Sequence, residues 1–202
     1  AAPAQQGGAG GGAPALRGAP GGLAAGPARR LLTIEMDPRN RRLLEASVRL
    51  NGLRNVDIFP FAAGSPDEPS RVYIGRHPRN SGMSEVARLP RRSEGNESVN
   101  LTTLDAILGA FPATMRALVG AKIDVEGHEF PVLKGARRLL REAPPCWLQL
   151  ENSALNHVEL MHKILREFGY ESSGKILSAG KDDYMYVQHD PEACMKQRVA
   201  AA

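Results

Sequence analysis

Leu118-Val119-Gly120-Ala121-Lys122-Ile123-Asp124-Val125-Glu126-Gly127-His128-Glu129 is an apolar run that turns acidic and then breaks at a glycine. Leu118 to Val125 reads as a strand, because small and β-branched residues dominate it and polar residues alternate near its end. Side chains two apart share a face of a strand, so Lys122, Asp124 and Glu126 are expected to project together. Gly127 permits a tight turn. Phe130, Leu133, Ala136, Leu139 and Leu140 follow at spacings that predict one helix with an apolar stripe. In open α/β sheets the carboxyl ends of strands line the ligand crevice, and charge buried there is costly unless paired or used. The competing reading is structural: an ion-pair cluster beside a helix start whose dipole favours acidic residues.

Working outward, Leu31-Leu32-Thr33-Ile34-Glu35-Met36-Asp37-Pro38 is a second strand ending in acid. Asp37 suits an N-cap and Pro38 the first helical position. Leu43, Leu44 and Val48 mark the buried side of the next helix, which Gly52 ends. Val56 to Phe61 predicts a third strand running into Ala62-Ala63-Gly64, where small residues leave room for a flat ring near the backbone. Leu101 to Leu108 introduces a short helix. Cys146-Trp147-Leu148-Gln149-Leu150-Glu151-Asn152 is a further strand ending in acid, after Pro144 and Pro145 break the preceding helix. The alternation predicts that Leu31 to Glu35, Val56 to Phe61, Leu118 to Asp124 and Trp147 to Leu150 are parallel strands of one sheet. A carboxylate at such a strand tip commonly accepts ribose hydroxyls, which makes Glu35 a candidate.

Taken in order, Thr33-Ile34-Glu35-Met36-Asp37-Pro38, Asn51-Gly52-Leu53-Arg54-Asn55-Val56, Ala62-Ala63-Gly64, Thr103-Leu104-Asp105 and Lys122-Ile123-Asp124-Val125-Glu126-Gly127 resemble the FkbM-type S-adenosylmethionine-dependent methyltransferases, over roughly Arg30 to His189. The resemblance implies an α/β fold with a Rossmann-like class I methyltransferase sheet, and S-adenosylmethionine as cofactor. Its members methylate hydroxyl groups, so the implied partner is a small-molecule or glycan hydroxyl acceptor. Carried over by position, Glu35 holds the cofactor ribose with Met36 beside it, and Phe61 and Ala62 flank adenine. Asp124 lies beside the methionine moiety and the methyl group, while Glu126 and His128 line the acceptor pocket. Asp124, or His128 if it faces the pocket, is the expected base, and Glu151 is the expected partner of Lys122.

One departure stands out. The family places a strand and a glycine-containing turn ahead of the Glu35 strand, yet Ala1 to Ala28 is almost wholly Ala, Gly, Pro and Gln, with no Asp, Glu or β-branched residue. A cradling turn needs an apolar strand before it and a helix after it, so neither a first strand nor a glycine loop is recognisable. The expected organisation is a low-complexity, disordered segment over 1–28, one methyltransferase-like domain over 29–190 and a C-terminal tail over 191–202. A non-catalytic descendant that keeps the sheet as an interaction or scaffold module is the alternative.

A net charge of +4 hints at acidic partners, but the arginines come as scattered pairs, and aromatics at 5% leave little to stack on bases. Nucleic acid is not expected as a partner. No apolar run is long enough to span a bilayer, and no charged-then-apolar leader is visible. Cys146 and Cys194 are too few for a disulfide framework, and Cys146 reads as a buried apolar residue. His157 and His162 lack the same-face spacing of zinc ligands. Asp124, Glu126 and Glu151 are an alternative magnesium set, although no metal is assigned. Arg71 to Ile74 reads as a short strand and Arg79 to Ser84 as a loop, with Asn80 and Ser84 as candidate substrate contacts. Leu155, Val158, Leu160, Met161, Ile164, Leu165 and Phe168 predict a late helix ending at Gly169, and Tyr184 to Val187 a closing strand, antiparallel if the resemblance holds.

Overall fold

Apolar runs of strand length alternate with capped helical segments along most of the chain, and a computed structural model describes residues 30–77, 79–89, 97–152, 157–178 and 181–200. Leu31–Ile34 (β1) and Val56–Phe59 (β2) run parallel, with helix Pro38–Leu50 (α1) as the crossover. Asp37 caps α1 by accepting the Arg39 N–H at 2.9 Å, and Pro38 opens its first turn, both as the sequence predicts. Gly120–Ile123 (β7) and Trp147–Asn152 (β8) are also parallel, Gly120 opposite Trp147. Beyond β8 the pairing turns antiparallel: Lys181–Gln188 (β10) lies between β8 and Tyr170–Ser178 (β9), giving the order β7-β8-β10-β9. A third sheet carries Ala62–Ala63 (β3), Ser98–Thr102 (β6), Arg71–His77 (β4) and Asn80–Ala87 (β5), in that spatial order.

The expectation of one sheet through all four parallel strands does not hold. Each neighbouring pair is parallel, but β1 and β2 form a two-stranded sheet while β7 and β8 belong to a four-stranded one. Pairing between β1 and β7 is absent among the described residues, and both edges face a common cavity instead. The expected third strand also divides: after β2, Pro60 removes a ladder donor, and Ala62–Ala63 joins the β3-β6 pair of another sheet. Arg79 to Ser84, read as a loop, falls largely in β5, which pairs with β4 across a register shift at Arg76/His77.

The helix expected after Gly127 is two short ones, Glu129–Lys134 (α4) and Arg137–Glu142 (α5). Tertiary contacts set the break. A Cβ at Gly135 would run into the Gly64 carbonyl, and the Gly135 carbonyl accepts the Asp105 N–H at 2.9 Å. The Asp105 carboxylate in turn accepts the N–H groups of Arg138 and Leu139, each at 2.8 Å, so it caps α5 from the helix Leu104–Gly109 (α2). Pro112–Arg116 (α3) follows α2, and the late helix is Val158–Glu167 (α6). Leu155 and the segment Ala1 to Ala28 lie outside the described residues.

The main core joins α2, α4, α5 and α6 to the β7-β8-β10 sheet, with Leu133, Leu150 and Leu165 fully buried. Burial of each such leucine is worth about 2 kcal/mol. Leu32 of β1 packs on the same cluster, so β1 is held near β7 by side chains while their backbones stay apart.

The cysteine reading is corrected. Cys146 and Cys194, 48 residues apart, form a disulfide that ties the start of β8 to helix Pro191–Ala200 (α7). Residues 191–200, expected as part of a tail, are therefore an ordered helix. Arg198 fixes its far end by donating to the carbonyls of Arg116 at 2.8 Å and Pro144 at 3.1 Å.

Candidate active site

β1 delivers Glu35 to the mouth of the cavity. Its N–H donates to the Phe59 carbonyl at 3.0 Å, and its carboxylate accepts the Asp37 N–H at 2.7 Å, which fixes the side chain over the start of α1. Burial raises the Glu35 pKa above the ordinary carboxylate value, against the lowering effect of that N–H. Asp37 is deeply buried and points away, into a two-pronged ion pair with Arg76, while Ser84 Oγ donates to it at 3.1 Å. Burial pushes the Asp37 carboxyl up, but Arg76, the Arg39 N–H and Ser84 outweigh it and hold it below the usual range.

Opposite Glu35, β7 ends at Ile123, and Asp124 begins a tight acidic turn. Glu126 has φ 50° and Gly127 φ 95°. A left-handed glutamate is uncommon and costs of order 1 kcal/mol unless its surroundings impose it. Glu129 supplies the constraint: its buried carboxylate accepts the N–H groups of Val125 and Gly127, both at 3.2 Å. Burial raises its pKa, with those N–H groups pulling the other way.

Lys122 is 2.8 Å from Asp124, and this hydrogen bond, opposed by desolvation, raises the ammonium pKa. The charges of Asp183 and Glu151 add to the same direction, so Glu151 acts on Lys122 through its field while the direct partner is Asp124. Glu151, at the end of β8, is buried, and ligand atoms of Asp124, Glu126 and Glu151 all lie within 4.8 Å of one another. The alternation and the matching strand ends therefore gather one charged cluster, as the sequence predicts.

A cavity of about 580 Å³ joins the two sides. Glu35, Met36, Phe61, Ala62, Asp124 and Glu126 all line it. His128 is not among its lining residues. The imidazole Nε2 instead sits 3.1 Å from Glu68 Oε2, and that same carboxylate oxygen accepts the Ser65 N–H at 2.8 Å. Ser84 lines the cavity, as does Val86 next to it on β5, whereas Asn80 is exposed elsewhere on that strand.

Sequence reasoning did not single out Glu68, Arg76, Asp105 or Glu129 for these roles. Ser65 and Glu68 carry a readable signal, the three-residue spacing of a capping box. Arg76 carried none, because its partner Asp37 is 39 residues away.

The family model for the methyltransferase FkbM domain matches residues 20–172, which include every residue of this cavity and its charged cluster. Comparison with curated proteins and with solved structures finds no significant match. Among the described residues, no helix is long and apolar enough to cross a membrane.

Proposed function

The chain belongs to the FkbM methyltransferase family and is a methyltransferase; we propose that it transfers the methyl group of S-adenosylmethionine to a hydroxyl of a sugar or another small metabolite. The observation that carries this reading is that one cavity brings the acid at the tip of β1 and the acidic turn after β7 to opposite walls. Its volume of about 580 Å³ falls within the ~300–1,000 Å³ typical of small-molecule sites.

The residues fit the cofactor in kind. The oriented Glu35 carboxylate is an acceptor for a ribose diol, Met36 lies next to it, and Phe61 and Ala62 offer an apolar wall to a flat base. Asp124, which lines the same cavity, faces the methionine end in this reading. When bound, the sulfonium supplies a methyl carbon open to attack, which leaves the protein to align an acceptor and remove its proton.

Asp124 takes that proton, and Lys122 orients its carboxylate from 2.8 Å. Glu126, turned into the cavity by its left-handed backbone, positions the acceptor hydroxyl. His128 serves as base only if it leaves Glu68, so Asp124 ranks first. The catalytic unit spans 29–190, with α7 fastened to it by the Cys146–Cys194 disulfide.

Calorimetric titration with S-adenosylmethionine tests the cofactor assignment. Saturable binding is expected, weakened about tenfold or more in Glu35→Ala, since a hydrogen bond to a charged group is worth ~1.5–3 kcal/mol. Equal affinity for both proteins would remove Glu35 from the site. Asp124→Asn, assayed for transfer of labelled methyl to a panel of hydroxyl acceptors, is expected to bind cofactor and keep its fold while losing about 100-fold or more in turnover.

A further inference from the structure

We infer that Glu68 and His128 form a brace that holds the acidic turn to the loop after the adenine wall, and that His128 positions this turn through Nε2 instead of taking a proton. The roles given to the turn and the wall rest on the function proposed above; the brace itself does not.

The contact joins two stretches of the cavity from outside its lining. Phe61, Ala62 and Ala63 line one stretch and Asp124, Val125 and Glu126 another, whereas neither Glu68 nor His128 is a lining residue. The chain passes from Ala63 through Gly64 into the turn that ends at Glu68, and from Glu126 through Gly127 to His128. His128 Nε2 and Glu68 Oε2 stand 3.1 Å apart, so one bond across 60 residues links the two.

Both partners are built for it. The Glu68 side chain is 7% exposed and that of His128 16%, so water competes weakly for the bond. Glu68 is oriented by its own loop, where Oε2 accepts the Ser65 N–H at 2.8 Å and the Glu68 N–H donates to the Ser65 carbonyl at 3.2 Å. Gly64 leaves the room, because a Cβ there would meet the same oxygen at 2.7 Å. Lys134 also reaches this loop, at 2.6 Å from Asp67, but both of those side chains are exposed and such a pair holds little.

On the other side, His128 is the N-cap residue of α4, and its carbonyl accepts the Val132 N–H at 3.2 Å. It follows directly on the left-handed pair Glu126 and Gly127. Glu129 clamps this turn from within, through the N–H groups of Val125 and Gly127. Glu68 holds it from without.

The same geometry takes His128 out of proton transfer. An ionised carboxylate only accepts hydrogen bonds, so Nε2 carries the hydrogen while it is bonded to Glu68. That nitrogen then offers no lone pair to an acceptor hydroxyl.

Two measurements on the full chain need neither cofactor nor acceptor. Nitrogen NMR of imidazole-labelled protein at neutral pH is expected to find a hydrogen on His128 Nε2. The amides of Val125 and Gly127 are expected to exchange about tenfold faster or more in His128→Ala, the loss of one bond to a charged group. In His128→Gln, whose side-chain N–H can reach Glu68, they are expected to return towards the parent rate.

Transfer of labelled methyl then separates positioning from proton transfer. Turnover is expected to fall about 10- to 100-fold in His128→Ala, as misplacement by ~1 Å does, while S-adenosylmethionine affinity by calorimetry changes under about threefold, because His128 does not line the cavity. His128→Gln is expected to recover most of that loss, since glutamine can hold Glu68 but cannot take a proton. Glu68→Ala breaks the same bond from the other side, and the double variant is expected to lose no more than either single one. It also serves if His128→Ala fails to fold.

A bare Nε2, or unchanged exchange in both alanine variants, overturns the brace. Turnover as low in His128→Gln as in His128→Ala, or losses that add in the double variant, makes the imidazole the base and overturns the positioning role. If the parent does not bind S-adenosylmethionine, the cofactor reading fails, and NMR and exchange still decide the brace.

Discussion

Arg76 and Asp37, 39 residues apart, meet through two hydrogen bonds of 2.6 and 2.8 Å, and the pair joins the β4 strand of the third sheet to the start of α1. Asp37 is 2% exposed and the Arg76 side chain 11%, so removing either partner leaves the other charge buried. Arg76→Met is expected to cost about 3 kcal/mol, as for other buried pairs broken on one side. Urea unfolding at neutral pH measures it, and a loss under ~1 kcal/mol would show that the pair is not structural.

The same pair sets an acid limit. Asp37 has a folded pKa below its unfolded value near ~3.9, so its stabilisation is fully present above that value and is lost as pH falls through the folded one. In Arg76→Met this part of the acid unfolding profile should flatten. Thermal melts between about pH 2 and pH 5 would reveal it.

Glu129 has the opposite sign. Burial raises its pKa, so its share of stability is complete below the unfolded value near ~4.3 and declines as pH rises through the folded one. Glu129→Gln keeps an acceptor for the Val125 and Gly127 N–H groups and is expected to match or exceed the parent at neutral pH. Glu129→Ala leaves both N–H groups without that acceptor and is expected to cost about 2 kcal/mol. It should also lower turnover, because the left-handed Glu126 turn loses its clamp; equal activity in Glu129→Ala would deny the clamp.

Lys122 is half exposed, so its bond to Asp124 is worth under ~1 kcal/mol to the fold. Lys122→Met should therefore leave the melting temperature within a few degrees. Turnover should drop, because Asp124 loses the cation that orients its carboxylate. A stable variant with unchanged turnover would separate the Lys122–Asp124 contact from proton transfer.

The disulfide closes a separation of 48 residues, for which chain entropy predicts about 4 kcal/mol of stabilisation, with ~2–4 typical in practice. Dithiothreitol, or the double substitution Cys146→Ser with Cys194→Ser, should lower stability by about that amount. Free-thiol titration of the untreated protein should find no reactive cysteine.

Much of the local structure was written in consecutive residues. Asp37-Pro38 announced the start of α1, and the alternation Lys122, Asp124, Glu126 announced a shared acidic edge. The contacts that escaped notice were long in sequence. Gly135 ends α4 because Gly64 crowds it, and Asp105 starts α5 from another helix. Periodicity alone reads that stretch as one helix, since it registers only neighbours on the same segment.

The sequence by itself determined that Leu31–Ile34, Gly120–Ile123 and Trp147–Asn152 are strands and Pro38–Leu50 a helix, where carboxylates stand at strand ends, and the family, because these rest on backbone preferences and side-chain spacing within a few residues. Only the tertiary structure decided that β1 and β7 remain separate edges around a cavity, that Arg76 serves Asp37, that His128 turns to Glu68 and that Cys146 finds Cys194. Those outcomes depend on which distant surfaces bury each other and which charges must then be paired, a competition settled across the whole molecule.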